Sequence, residues 1–182
     1  MRNMPTCYEK SIEKLSPLIH YLDSLKTRAE LGILAELLKS LHITAEDLAP
    51  FCIFEEHTYR RNAIKESSWY TLDLICWRSE QVSPIHDHGI SSCSFKIIQG
   101  RAVEMQYVHL SNGYVRADVT KTYNEGDVCS TFEKDTHAIR AAHEDLVTLH
   151  VYSPPLMMCY YAEEPKAAGA KSPTSVESLR SH

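Results

Sequence analysis

The sequence of 182 residues lacks the features that mark several large classes of protein. None of its six cysteines belongs to a CxxC pair, so we expect reduced thiols and no disulfide framework. The net charge of −5 leaves no basic excess of the kind that binds nucleic acid or an anionic membrane. No apolar run approaches the length of a membrane span, and the opening residues MRNMPTCYEKS contain no apolar secretory signal. We therefore expect a cytoplasmic protein with neither a nucleic-acid nor a membrane partner.

The composition is that of an ordinary globular protein, with 43% hydrophobic and 24% charged residues. The chain is long enough for one well-buried core and too short for two comfortable domains, and it contains no internal repeat. We expect a monomer with a single domain over residues 1–165. From about Lys166 the sequence is poor in apolar residues and rich in Ser, Ala, Lys and Pro, which predicts a flexible tail over residues 166–182.

The predicted domain has two parts with different sequence patterns. Over residues 1–55, apolar residues recur every three or four positions in CYEKSIEKLSPLIHYLDSL and KTRAELGILAELLKSLHI, which predicts two helices. Pro17 is a candidate kink or break in the first, and Thr44 is the expected N-cap of a short third helix, AEDLAPF. Over residues 56–165, six short runs rich in Tyr, Val, Ile and Thr alternate with turn signals such as SNG and NEGD. This pattern predicts a mainly β fold, an antiparallel sandwich or barrel with an N-terminal helical cap.

Two histidines stand one residue apart in SPIHDHGISSC. Side chains at i and i+2 of a strand point to the same face, so His86 and His88 are predicted to converge. Two converging imidazoles favour a divalent metal site, although an HxH pair alone is equally compatible with a structural or surface role. A third ligand is expected from another strand. The main candidates are His137 and His150, and the weaker ones are His109 and His143.

The surroundings of this pair resemble the first motif of the cupin family, G(X)5HXH(X)3-4E(X)6G. His86, His88 and Gly100 stand at the matching spacings, with Cys93 at the acidic position and Glu80 in place of the opening glycine.

The segment GDVCSTFEKDTHAIRA resembles the second cupin motif, G(X)5PXG(X)2H(X)3N. Gly126 and His137 keep its spacing, whereas its Pro, second Gly and Asn are replaced by Phe132, Lys134 and Ala141. The two resemblances imply a cupin fold, a small antiparallel β-barrel or jelly roll, with His137 as the third ligand.

The presence of Cys93 at the acidic position limits the resemblance to one group within the cupin family. Together with YRRN (59–62), LICW (74–77) and LHVYSPP (149–155), it makes residues 50–160 similar to the cysteine dioxygenases, a group of thiol dioxygenases within the cupin family. This resemblance implies Fe²⁺ held by His86, His88 and His137, with O₂ as cosubstrate and oxidation of the thiol of L-cysteine to cysteine sulfinate. Three neutral imidazoles leave the ion its full charge, which favours binding of the substrate as a thiolate.

The same resemblance implies roles for residues around the metal. Cys93 is expected to form a thioether cross-link to Tyr152, the alternative being that it is only a small buried residue. Thr148, His150 and Tyr152 lie at i, i+2 and i+4 and match a Ser-His-Tyr relay, with Thr148 in place of the serine. His150 in this relay is also the main rival to His137 as a ligand.

Arg61 matches the arginine that binds the substrate carboxylate, and Tyr59 matches its partner tyrosine. A guanidinium fork suits a carboxylate, and strand alternation places the neighbouring Arg60 on the opposite, outer face. Two alternative functions remain at this point. One is a dioxygenase of another small thiol such as 3-mercaptopropionate, and the other is a non-catalytic cupin that binds a metal or a small ligand.

Overall fold

A computed structural model of the chain describes residues 5–131 and 135–165. The predicted tail and two positions of the second motif, Phe132 and Lys134, lie outside the described residues. Two α-helices, α1 (Cys7–Asp23) and α2 (Leu31–Ser40), and a 3-10 helix (Ala49–Phe51) precede the strands. Among the described residues, no helix has the length and apolar character that crossing a membrane requires.

The strands form two antiparallel sheets. They are β1 (Arg60–Glu66), β2 (Thr71–Trp77), β3 (Ser92–Gln99), β4 (Ala102–His109), β5 (Val115–Tyr123), β6 (Val128–Thr131), β7 (His137–Ala141) and β8 (Leu146–Ser153). The larger sheet has the order β1-β2-β8-β3-β6, and the smaller sheet has the order β5-β4-β7. Phe95 of the larger sheet and Ile139 of the smaller one belong to the same core cluster, so the interior lies between the sheets.

The alternation of side chains along β8 separates two cores. All eight residues of β8 are buried. Leu149 and Val151 pack in the cluster that contains the helices, whereas Leu146 and Tyr152 pack in the cluster between the sheets. Because successive strand residues point to opposite faces, one strand serves both cores. Thr148, His150 and Tyr152 fall on the face that points between the sheets, whereas the Ser153 hydroxyl lies on the helix side and accepts a hydrogen bond from the backbone N–H of Ala29 at 2.9 Å.

A buried lysine attaches the helical cap to the larger sheet. Nζ of Lys96, on β3, donates to the carbonyl oxygens of Leu38 at 3.0 Å and Leu41 at 2.6 Å. The last carbonyl groups of a helix have no partner within the helix, so a cation at this end satisfies them. The end of α2 is thereby fixed to the strand that follows the HxH pair.

Several local predictions need correction. Pro17 lies inside α1, which is not divided there. The short helix predicted after Thr44 is a turn followed by the 3-10 helix, although the Thr44 hydroxyl does accept a hydrogen bond from the backbone N–H of Asp47 at 3.2 Å. The sequence also missed β6 and β7, which have four and five residues and are too short for alternation to stand out.

Two positions of the first cupin motif take left-handed backbone conformations. Gly100 has φ 82°, and a Cβ atom there would lie 2.4 Å from the carbonyl oxygen of Asp145. Glu80, which replaces the opening glycine, has φ 66°. Its side chain accepts hydrogen bonds from Arg140 at 2.6 Å and from the backbone N–H of His143 at 2.9 Å. The conformation that favours glycine is thus retained at position 80 with the help of side-chain contacts.

Candidate active site

The HxH segment lies against β7. His86 and His137 exchange two backbone hydrogen bonds, each of 2.9 Å. The prediction that the HxH pair lies on a strand is wrong, because His86 makes only isolated bridges, to His137 and Tyr160. The chain leaves this extended segment at Gly89, which has φ 56°. The bridge between His86 and His137 nevertheless brings the HxH pair next to the third imidazole.

Three buried histidines converge between the sheets. One nitrogen from each of His86, His88 and His137 lies within 4.8 Å of those from the other two. Nε2 of His137 and Nε2 of His88 are 3.3 Å apart. We call these three residues the histidine triad. His150 lies outside it, and the weaker candidates His109 and His143 pair instead with Thr136 and Glu80.

Each ring of the triad has an outer partner at Nδ1. That of His86 is the carbonyl oxygen of Pro84 at 2.9 Å, and that of His88 is the hydroxyl of Thr131 at 3.5 Å. That of His137 is Oε1 of Glu104 at 2.6 Å. Contacts of this kind orient a ring and leave Nε2 to face the shared centre, so the donor set suits a divalent transition metal.

Burial keeps the HxH pair neutral. Desolvation, followed by the neighbouring His137, lowers the pKa of His86 to about 4 and that of His88 to about 2. Both rings are therefore neutral near neutral pH, with one nitrogen free of a proton, which is the form that binds metal.

A hydrogen-bonded chain runs along the interior face of β8. The Tyr152 hydroxyl lies 2.9 Å from Nδ1 of His150, and Nε2 of His150 lies 2.9 Å from Oγ1 of Thr148. Thr148 Oγ1 accepts a hydrogen bond from Nε1 of Trp77 at 3.1 Å and donates one to the carbonyl oxygen of Ile75 at 3.4 Å. The hydroxyl proton of Thr148 is thus committed to Ile75, which assigns the ring proton of His150 to Nε2. Nδ1 then accepts the proton of Tyr152.

Arg61 on β1 and Tyr59, just before β1, line the same cavity. Nη2 of Arg61 lies 3.4 Å from the Tyr152 hydroxyl, and its guanidinium carbon lies 5.2 Å from the centre of the Tyr152 ring. Tyr59 stacks on Trp77 with ring centres 4.3 Å apart. Arg60 is exposed, as alternation requires for the neighbour of an inward-pointing residue.

Cys93 and Tyr152 occupy directly opposite positions in the ladder of β3 and β8. Opposite residues of an antiparallel pair project to the same side with their Cβ atoms about 4.5–5.5 Å apart. Burial raises the pKa of both the thiol and the phenol, so each carries its proton. The Ser153–Pro154 peptide that follows is cis.

Sequence reasoning missed two buried carboxylates near these residues. Glu104 contacts His137, and Oδ2 of Asp73 lies 3.7 Å from Nη1 of Arg61. Burial raises the pKa of Asp73. For Glu104 the hydrogen bonds from His137 and Tyr123 outweigh burial, and the pKa is lowered. Alternation could have found Asp73, because it shares a strand face with Ile75 and Trp77.

A third missed residue lies between the two histidines of the HxH pair. Oδ2 of Asp87 accepts a hydrogen bond from the Tyr161 hydroxyl at 2.6 Å, and Oδ1 accepts one from the backbone N–H of Cys159 at 3.3 Å. While His86 and His88 point inward, Asp87 holds the segment that follows β8 through these hydrogen bonds.

The histidine triad and its neighbours line one cavity. Its lining consists of Tyr59, Arg61, Ile75, Trp77, Ser83, His86, His88, His137, Ile139, His150 and Tyr152.

Comparison with known families gives this cavity its context. Residues 5–164 match the family model described as cysteine dioxygenase type I. The chain belongs to this family. Among its relatives are cysteine dioxygenase type 1 of Bos taurus, 24% identical over 159 residues, which are 80% of this chain and 77% of the relative. That of Danio rerio is 26% identical over 161 residues, which are 81% and 78% of the two chains. Membership confirms the predicted enzyme class, a thiol dioxygenase.

Solved structures support the fold. A Klebsiella pneumoniae protein with a double-stranded β-helix domain superposes with a TM-score of 0.51 at 13% identity, over 64% of this chain and 95% of its own. A protein from Thermus thermophilus gives a TM-score of 0.51 at 15% identity, over 59% and 94% of the two chains. With the family match, these likenesses confirm the predicted cupin fold with its N-terminal helices.

Proposed function

We propose that the chain oxidises the thiol of L-cysteine with O₂ to cysteine sulfinate, at Fe²⁺ held by the histidine triad. Both oxygen atoms add to one sulfur, so that thiolate and O₂ give sulfinate and no external reductant is consumed. Bound iron would supply the redox centre at which thiolate and O₂ react. The observation that carries the proposal is the convergence of three buried imidazoles beside Arg61 and Tyr152 in one cavity.

The charge of the site favours a thiolate. None of the three ligands that we propose carries a negative charge, and the cupin acidic position holds Cys93, which is paired across the ladder with Tyr152. Burial raises the pKa of Cys93, so its thiol stays neutral and does not compete as an anion. An incoming substrate thiolate would therefore be the compensating charge at the centre.

Arg61 would select and orient the carboxylate of the substrate. Its guanidinium lies at the cavity between Tyr152 and Asp73, and only 30% of its side chain is exposed. A planar fork of N–H donors binds a carboxylate at two points and so fixes the direction of the attached thiol. Tyr59, stacked on Trp77, would complete this wall of the substrate site.

The relay on β8 would hold the Tyr152 hydroxyl in one orientation. Its proton points to Nδ1 of His150, which in turn is fixed by Thr148 and Trp77. The lone pairs of the phenol oxygen would then face the cavity and Arg61. A phenol held in this way presents a fixed dipole beside the reacting sulfur without needing to reorganise.

We further propose a thioether between Cys93 and Tyr152. Forming it removes one hydrogen atom from the thiol and one from the ring, a two-electron oxidation for which O₂, the proposed cosubstrate, would be the oxidant and would be reduced to H₂O₂. The opposite positions on β3 and β8 support the linkage, since both side chains project to the interior from neighbouring strands. The bond would restrict the ring that the relay already orients.

A panel of thiols tests the proposal. Iron-loaded protein should consume one O₂ per cysteine sulfinate formed, identified by mass spectrometry, and zinc-loaded protein should consume none. Cysteamine, which lacks a carboxylate, should be oxidised slowly. Faster oxidation of 3-mercaptopropionate than of L-cysteine would assign the enzyme to that thiol, and no O₂ uptake with any thiol would contradict the proposed activity.

A further inference from the structure

We infer that Glu104 is a positioning residue that holds His137 in the orientation and tautomer needed to bind the metal. Its Oε1 lies 2.6 Å from Nδ1 of His137, and the two side chains are 0% and 2% exposed. The inference rests on the proposed function only in taking the histidine triad to be the metal site.

The ladder of the smaller sheet explains how the two residues meet. Gln106 on β4 lies directly opposite His137 on β7, and Glu104 lies opposite Ile139. Residues two apart on a strand share a face, so Glu104 is the diagonal neighbour of His137. A glutamate is long enough to reach across such a diagonal, and here it reaches the nitrogen that points away from the triad.

The carboxylate is itself held in place on its other oxygen. Oε2 of Glu104 accepts hydrogen bonds from the Tyr123 hydroxyl at 3.0 Å and from Nε2 of Gln106 at 3.4 Å. These contacts direct Oε1 to His137. An ionised carboxylate can only accept, so Nδ1 of His137 carries the proton and Nε2 keeps a lone pair for the metal.

Glu104 differs in kind from the groups that orient the other two rings. His86 is held by a backbone carbonyl and His88 by a hydroxyl, both neutral. The carboxylate therefore places the only full negative charge among these three outer partners. It strengthens His137 as a donor without occupying a coordination position, which leaves those positions to substrate and O₂.

Metal affinity tests the inference on the full-length apoprotein. Glu104→Gln keeps the length of the side chain but removes its charge and replaces one acceptor oxygen with a donor amide. We expect the dissociation constant for Co²⁺, measured by competition with a chelator, to rise by about ten- to a hundredfold. Glu13→Gln, at an exposed position on α1, is the matched control and should bind as the wild type does.

Two further measurements separate positioning from a merely structural role. In the zinc-loaded protein, the Nδ1 proton of His137 should give a strongly downfield NMR signal that Glu104→Gln moves upfield or abolishes. Tyr123→Phe, which removes one support of Oε2, should weaken Co²⁺ binding by a smaller factor of about three to ten. This second variant keeps the test open if Glu104→Gln does not fold.

The opposite results would overturn the inference. Unchanged Co²⁺ affinity in both variants would do so, as would a large fall in the melting temperature of the apoprotein with wild-type affinity in the folded fraction. A wild type that binds Co²⁺ at the triad but oxidises no thiol would contradict the proposed function alone, since the affinity comparison would still stand.

Discussion

Replacing Arg61 with alanine tests whether the cavity recognises its substrate through the carboxylate. The guanidinium lies 3.4 Å from the Tyr152 hydroxyl and 3.7 Å from the Asp73 carboxylate. A charge-assisted hydrogen bond contributes about 1.5–3 kcal/mol, which corresponds to roughly ten- to a hundredfold in kcat/KM. Because the substrate carboxylate would also be left unpaired in a partly desolvated cavity, we expect the upper end, about a hundredfold, for L-cysteine.

The assay is steady-state O₂ uptake with L-cysteine and with cysteamine. The already low rate with cysteamine should barely change in Arg61→Ala, because that thiol has no carboxylate to lose. Arg60→Ala is the matched control, since Arg60 is exposed on the opposite face of β1, and it should leave both rates unchanged.

The variant also leaves a buried carboxylate, Asp73, without its cation. Arg61→Ala should therefore be compared with Arg61→Ala/Asp73→Asn, which removes the stranded charge and should recover stability but not kcat/KM. Near-normal turnover of L-cysteine by Arg61→Ala, or rapid turnover of cysteamine by the wild type, would refute the reasoning. A strong loss in Arg60→Ala alone would show that the wrong arginine had been assigned.

Three further predictions concern the metal, the cross-link and the cap. Alanine at any one residue of the histidine triad should remove most of the bound iron, measured by elemental analysis, whereas His150→Ala should keep the iron and lose turnover; the reverse pattern would reassign the ligands. Turnover with L-cysteine should convert part of the protein to a form lighter by two hydrogen atoms, with a branched tryptic peptide joining Cys93 and Tyr152. Cys93→Ser should lack this form yet keep some activity, and a homogeneous unlinked mass after long turnover would argue against the linkage. Lys96→Met should lower the free energy of unfolding in urea by about 1.5–3 kcal/mol, because it strands carbonyl groups at the end of α2; an unchanged midpoint would show that water satisfies those groups.

The family motifs predicted more residues of the candidate site than the alternation of polar and apolar residues within single strands did. The spacing from Gly126 nominated His137 even though β7, the strand that holds it, was missed. The bridge that joins His86 to His137 pairs segments about fifty residues apart. The pattern of polar and apolar residues within either segment does not predict this pairing. The HxH pair converges as predicted, but from an irregular extended segment.

The buried carboxylates show where such reasoning stops. In RAVEMQYVHL, Glu104 looks like any polar residue of a half-exposed strand. Its contact with His137 depends on the pairing of β4 with β7. Strand pairing is set by tertiary packing, which the sequence of one strand does not specify. The monomeric state, the cytoplasmic location and the division at residues 55 and 56 stay predictions.

The position of β8 within the larger sheet has a consequence for motion. It lies between β2 and β3, so its backbone amides are paired on both sides, and all its side chains are buried. We expect the amides around His150 and Tyr152 to be among the slowest in the chain to exchange with deuterium, close to the limit set by global unfolding. Arg61 lies instead on β1, an edge strand with an irregular register after Ala63. We therefore expect the local opening that admits a thiol to occur at β1, on the side of the cavity where Arg61 would bind the carboxylate. Tyr152 on β8 should keep its position during this opening.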